Sequence, residues 1–70
     1  MRGYLYDLRT SRGYTMREMG EKLGISEVYY SLIEKGERQK RMDITLAVKL
    51  SEALSVPLAT IVDAEKEAIT

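Results

Sequence analysis

The residues best suited to chemistry in this chain are cations, and their distribution is uneven. Within the first 41 positions Arg2, Arg9, Arg12, Arg17, Lys22, Lys35, Arg38, Lys40 and Arg41 stand against Asp7, Glu18, Glu21, Glu27, Glu34 and Glu37, a net charge of +3. Residues 42–70 hold Lys49 and Lys66 against Asp43, Glu52, Asp63, Glu65 and Glu67, a net charge of −3. A chain whose formal charge is zero is therefore electrically two-sided, which suits one face turned towards phosphate and another turned away. The basic stretch Glu37-Arg38-Gln39-Lys40-Arg41 has two readings, a loop that contacts phosphates or a solvated run of charge. Catalytic chemistry has few actors. The chain has no Cys and no His, so disulfides, thiolate metal sites and imidazole chemistry are excluded. It shows no phosphate-cradling Gly-rich loop and no pair of carboxylates evidently confined in an apolar pocket. The composition reads as that of a binding protein rather than an enzyme, with no cofactor and no metal.

The elements that must hold these cations can be read from apolar spacing. Seventy residues make one domain, and a chain of this length buries only about 60% of its unfolded surface. The longest apolar runs are too short to span a bilayer, and the N-terminus lacks the apolar core of a signal peptide, so a cytoplasmic protein with no membrane partner is expected. Met1, Tyr4, Leu5 and Leu8 follow helical spacing and predict a first helix that ends before Gly13. Thr15-Met16-Arg17-Glu18 reads as a capping box. It opens a second helix whose inner face is Met16, Met19, Gly20 and Leu23, closed by Gly24. Ser26 caps a third helix with Tyr30 and Ile33 inside and Gly36 at its end. Asp43 caps a fourth with a stripe of Ile44, Ala47, Leu50 and Leu54. Pro57 fits the first turn of a fifth, whose apolar side is Leu58, Ile61 and Val62. The prediction is an all-α fold, a compact five-helix bundle.

One segment, Thr15 to Gly36, links these elements to a function. A close crossing of two helices at a tight corner needs a small residue inside the first helix, a glycine at the turn and apolar residues that lock both onto the core. Gly20 and Gly24, with Met19, Leu23, Ile25, Tyr30 and Ile33, supply all three. A mid-helix Gly costs roughly 1 kcal/mol relative to Ala, so Gly20 implies close packing. On the third helix Glu27, Val28, Ser31 and Leu32 fall on one side, opposite Tyr30 and Ile33.

In the order and spacing of its pieces the chain resembles the Cro/CI-like (Xre) family of helix-turn-helix repressors. The resemblance begins at Leu5-Tyr6-Asp7-Leu8-Arg9 and runs through the corner and Ile33-Glu34-Lys35-Gly36. It ends with Lys49-Leu50-Ser51-Glu52-Ala53-Leu54 and Val56-Pro57-Leu58. It covers about residues 5–62, with the helix-turn-helix at about residues 16–35, inside a single DNA-binding domain of residues 1–70. The resemblance implies a lambda-repressor-like bundle that binds double-stranded DNA. It also implies a third helix that enters the major groove of an operator, as a symmetric dimer.

Carried over by position, the resemblance makes Glu27, Val28, Ser31 and Leu32 the residues that read bases. Glu27 can accept from cytosine N4, and Val28 and Leu32 can pack on thymine methyls or belong to a protein interface instead. No Arg, Gln or Asn is available on that side for bidentate purine contacts. Phosphate contacts fall to the amides at the start of the second helix near Met16 and Arg17, and to Ser26, Tyr29, Lys35, Arg38, Lys40 and Arg41. The family often carries Gln where this chain has Met16, and the loop after Gly36 is about two residues longer than the common pattern and lacks its Pro. We read the basic loop, laid along the backbone or into the minor groove, as compensating for the weak anchor at Met16. Arg9 and Glu34 resemble a family ion pair with a structural role.

A domain this small contacts too few base pairs alone, so a homodimer on a two-fold operator is expected, with Leu58, Ile61, Val62 and Ile69 at the interface. The competing reading is a protein-interaction module that keeps the fold without binding DNA.

Overall fold

Five local signals set both ends of α2 and α3 and the start of α4 in the computed structural model, which describes residues 1–69, with side chains described through Glu67. The helices are α1 (Gly3–Ser11), α2 (Met16–Leu23), α3 (Glu27–Lys35), α4 (Ile44–Leu54) and α5 (Leu58–Ile69). Thr15 and Glu18 form the reciprocal capping box: the Thr15 hydroxyl accepts from the Glu18 amide at 3.0 Å, and the Thr15 amide donates to the Glu18 carboxylate at 2.9 Å. Ser26 and Asp43 cap α3 and α4 by accepting from the amides of Tyr29 and Leu46. Gly24 and Gly36 end α2 and α3 in the left-handed region, with φ of 73° and 81°, where a Cβ is penalised. The prediction of an all-α five-helix bundle holds among the described residues.

The helices wrap one core of Leu5, Met19, Leu23, Tyr30, Ile33, Leu46, Ala47, Leu50, Leu54 and Ile61, so every helix contributes at least one enclosed side chain. Dimensions of 28 × 23 × 20 Å leave room for little more than that single layer of apolar contact. Met1, Ile44 and Met16, expected inward, behave otherwise. Met1 precedes α1 and is exposed, because the helix starts only at Gly3. Ile44 is 64% exposed: the buried arc of α4 is centred on Leu46, Ala47, Leu50 and Leu54, which leaves Ile44 at its flank. Met16 is only partly buried, packed against the edge of the core.

A correction of the opposite sign applies to Ile61, expected at a dimer interface. It is 0% exposed within one chain and completes the core from α5, because the stripe of α4 does not close that core alone. Of the other three residues placed there, Leu58 is exposed and Val62 partly so, while the side chain of Ile69 lies outside the described residues.

Candidate nucleic-acid interface

The corner between α2 and α3 is built from the absence of one side chain. A Cβ placed on Gly20 would lie 2.8 Å from the carbonyl oxygen of Ile25 and 3.2 Å from the amide nitrogen of Glu27. Both are backbone atoms of the turn, so no rotamer change could relieve the contact. The Ile25 amide donates to the Gly20 carbonyl at 2.9 Å and locks the turn onto the helix it leaves. Met19, Leu23, Tyr30 and Ile33 then bury the facing sides of both helices.

This packing turns the opposite side of α3 outward. Glu27 and Val28 are exposed, Val28 by 70%, while Ser31 and Leu32 are partly covered. The four expected readers therefore share one side of α3, the first two standing clear of the protein and the second two at its margin. Tyr30, Ile33 and Glu34 occupy the buried side.

The residues expected to contact phosphate surround this helix unequally. Arg17, Lys35, Arg38, Lys40 and Arg41 are exposed. The Ser26 hydroxyl is engaged in the α3 cap. The Tyr29 hydroxyl accepts from Gln39 Nε2 at 3.2 Å, which leaves its own proton free to donate. Met16 brings no polar side-chain atom to the start of α2.

Two of the nine cations in the first 41 residues turn inward. Arg9 reaches from α1 to Glu34 of α3, Nε to Oε2 at 2.9 Å and Nη2 to Oε1 at 3.2 Å, and Nη1 donates to the Tyr14 carbonyl. This hydrogen bonding to Glu34 holds the guanidinium even more firmly protonated than usual. The Tyr30 hydroxyl is buried without a hydrogen-bond partner among the described residues. Its ionisation is pushed up by burial and by the nearby Glu34 carboxylate.

The second inward cation, Arg2, had no signal in the sequence. Its guanidinium donates to the Glu65 carboxylate (Nε to Oε2, 2.7 Å) and to the carbonyls of Ile33 at 2.6 Å, Arg38 at 3.1 Å and Gln39. Tyr4 donates its hydroxyl proton to the same carboxylate, and the Tyr4 pKa is raised, by burial first and by Glu65 second. The partner of Arg2 lies 63 positions away in sequence, beyond the reach of any spacing rule. Seven exposed cations remain in the first 41 residues, Arg12, Arg17, Lys22, Lys35, Arg38, Lys40 and Arg41.

Among the described residues no helix is long and apolar enough to cross a membrane, and no cluster of acidic residues could hold a metal ion. No curated protein and no solved structure matches the chain at a significant level. A family model described as helix-turn-helix matches residues 5–61, from the first turn of α1 to the first turn of α5. With that match laid over a glycine-built corner and an outward-facing α3, the chain belongs to the Cro/CI-like helix-turn-helix family of DNA-binding regulatory domains.

Proposed function

We propose that this chain is a sequence-specific regulator of transcription, acting as a repressor, that places α3 in the major groove of a two-fold operator as a homodimer. The observation that carries the reading is the outward side of α3. Glu27 and Val28 project from a helix whose other side is fixed by the core and by the Gly20 corner, so the side chains are presented without a loop to order on binding. In this reading Glu27, Val28, Ser31 and Leu32 read base edges. Val28 and Leu32 favour thymine methyls, and Glu27 favours a cytosine amino group.

Positioning on the duplex then falls to the α2 N-terminus at Met16 and Arg17, to Ser26 and Tyr29, and to the cations Lys35, Arg38, Lys40 and Arg41. These give affinity and register rather than sequence preference. Leu58 and Val62, one helical turn apart on α5, are the accessible remainder of the expected dimer surface.

Selection of bound sequences from random duplex DNA tests the proposal. Enrichment of a two-fold motif is expected, with altered preference in Glu27→Ala and Leu32→Ala. Affinity should fall steeply with salt, because each neutralised phosphate releases counterions. A folded protein that enriches no sequence and shows no salt dependence would instead be an interaction module, with Val28 and Leu32 as its apolar contacts.

A further inference from the structure

The loop that carries Arg38, Lys40 and Arg41 leaves α3 through amide bonds from Glu37 and Arg38 to the Leu32 carbonyl, and two side chains tether it further, one of them buried. On one side the Arg2 guanidinium, itself buried, gathers the carbonyls of Arg38 and Gln39, together with the last buried turn of α3 through Ile33 and with α5 through Glu65. The Arg2 amide adds a bond to the Glu34 carbonyl at 2.8 Å. On the other side the Gln39 side chain bridges the loop, donating to the Tyr29 hydroxyl of α3 and accepting from the Asp43 amide at 3.2 Å, where α4 begins. Between these tethers Gln39 adopts φ of 54°, a left-handed conformation that a residue with a Cβ takes only when its surroundings enforce it.

We propose that Arg2 is a positioning residue for DNA binding: it clamps residues 37–41 so that Arg38, Lys40 and Arg41 stand at fixed places beside α3. The proposal rests on the DNA-binding reading above. A guanidinium suits the task because its planar fork presents five donors in fixed directions, enough to serve three carbonyls and a carboxylate together, whereas an ammonium is a point donor. The acidic partner also matters. Glu65 neutralises the buried charge, so the clamp leaves the outward positive field to the loop cations. Because Glu65 belongs to α5, the clamp joins the basic loop to the helix that carries Leu58 and Val62.

The test compares the intact chain with Arg2→Lys, which conserves charge but cannot span the same acceptors, and with Arg2→Gln. Backbone ¹⁵N relaxation of the free proteins reads the order of residues 37–41, and titration of a duplex bearing the selected motif at several salt concentrations reads binding. In the intact chain the loop amides should be as rigid as those of α3. In folded Arg2→Lys they should become mobile on the ps–ns timescale, with affinity down about tenfold and a shallower dependence on salt, as cations that no longer sit at fixed phosphates contribute less. An Arg2→Lys protein that is folded with an equally rigid loop, or with a mobile loop and unchanged binding, overturns the proposal. If neither variant folds, the intact chain still decides: a loop 37–41 already mobile beside a rigid α3 overturns the clamp. The two readings fail differently. A mobile loop in a chain that binds its duplex sinks the clamp alone, while a chain that binds no duplex at any salt concentration sinks the DNA reading and the positioning role with it.

Discussion

Arg9 and Glu34 meet across the α1–α3 contact in a two-point pair, with the Glu34 side chain only 1% exposed. Taking both charges out of water is costly, and the pair is tolerated because each partner satisfies the other. Removing one partner leaves the other buried and uncompensated, at a cost of about 3–5 kcal/mol. A domain of this size has a total stability on the order of 5 kcal/mol. Glu34→Ala is therefore expected to leave the protein largely unfolded at room temperature, read by loss of a cooperative thermal transition in circular dichroism. The double variant Arg9→Met/Glu34→Leu, which removes both charges, should recover most of that loss. A Glu34→Ala protein as stable as the parent would show that the pair is solvated in solution.

Gly20 and Gly3 make opposite predictions for the same substitution. Alanine is the better helix former by up to about 1 kcal/mol. At Gly3 a Cβ meets nothing within 4 Å, so Gly3→Ala should raise stability by a fraction of that amount. At Gly20 the Cβ would sit 2.8 Å from the Ile25 carbonyl oxygen, and the turn must open. The net loss is expected to be about 1–3 kcal/mol despite the gain in propensity. Chemical denaturation of both variants checks the pair. Because the opened turn also re-aims α3, Gly20→Ala should weaken binding to duplex DNA beyond what its unfolded fraction explains.

The Thr15 and Glu18 box predicts a pH effect of defined sign. Hydrogen bonding from the Thr15 amide, and then from the Thr15 hydroxyl, holds the Glu18 pKa below the ordinary carboxylate value. A folded-state pKa below the unfolded one means that this contribution is present in full above the unfolded value. It is lost as pH falls through the folded one. Stability measured by urea titration should therefore decline on acidification through and below the usual carboxylate range, and the decline should be shallower in Glu18→Gln. Thr15→Ala removes the cap itself and should cost about 1 kcal/mol at neutral pH. An acid limb identical in Glu18→Gln and the parent would assign that limb to other carboxylates.

These local devices were legible in the sequence because their partners lie within four residues. Thr15 and Glu18, Ser26 and the α3 amides, and Gly24 at its turn each announce themselves by type and spacing. Gly20 was legible by its cost, since a glycine inside a helix calls for a close neighbour. Ile44 and Ile61 were misplaced because helical spacing gives a stripe and not its width. Whether a residue at the edge of the stripe is covered depends on the packing of other helices. Arg2 counted as one cation among nine, since its acceptors come from the end of α3, the following loop and α5, three places that only the folded chain brings together.

Ile61 and Leu58 separate folding from assembly on one helix. Ile61 is fully enclosed, so Ile61→Ala should destabilise the monomer by about 2–5 kcal/mol through lost contact and an unfilled cavity. Leu58 is 37% exposed at the start of the same helix, where a polar substitution should cost the monomer far less, about 0.5–1 kcal/mol. If α5 joins two copies, Leu58→Glu sets two carboxylates against each other across the two-fold axis, and the like-charge contact opposes assembly without unfolding either copy. Sedimentation velocity on a two-fold duplex should then show two chains per duplex for the parent and one for Leu58→Glu at the same concentration, with a cooperative thermal transition in both. Cooperative loading of two Leu58→Glu chains with the parent's affinity would remove α5 from the interface and turn the test to the exposed apolar flank of α4 at Ile44 and Val48.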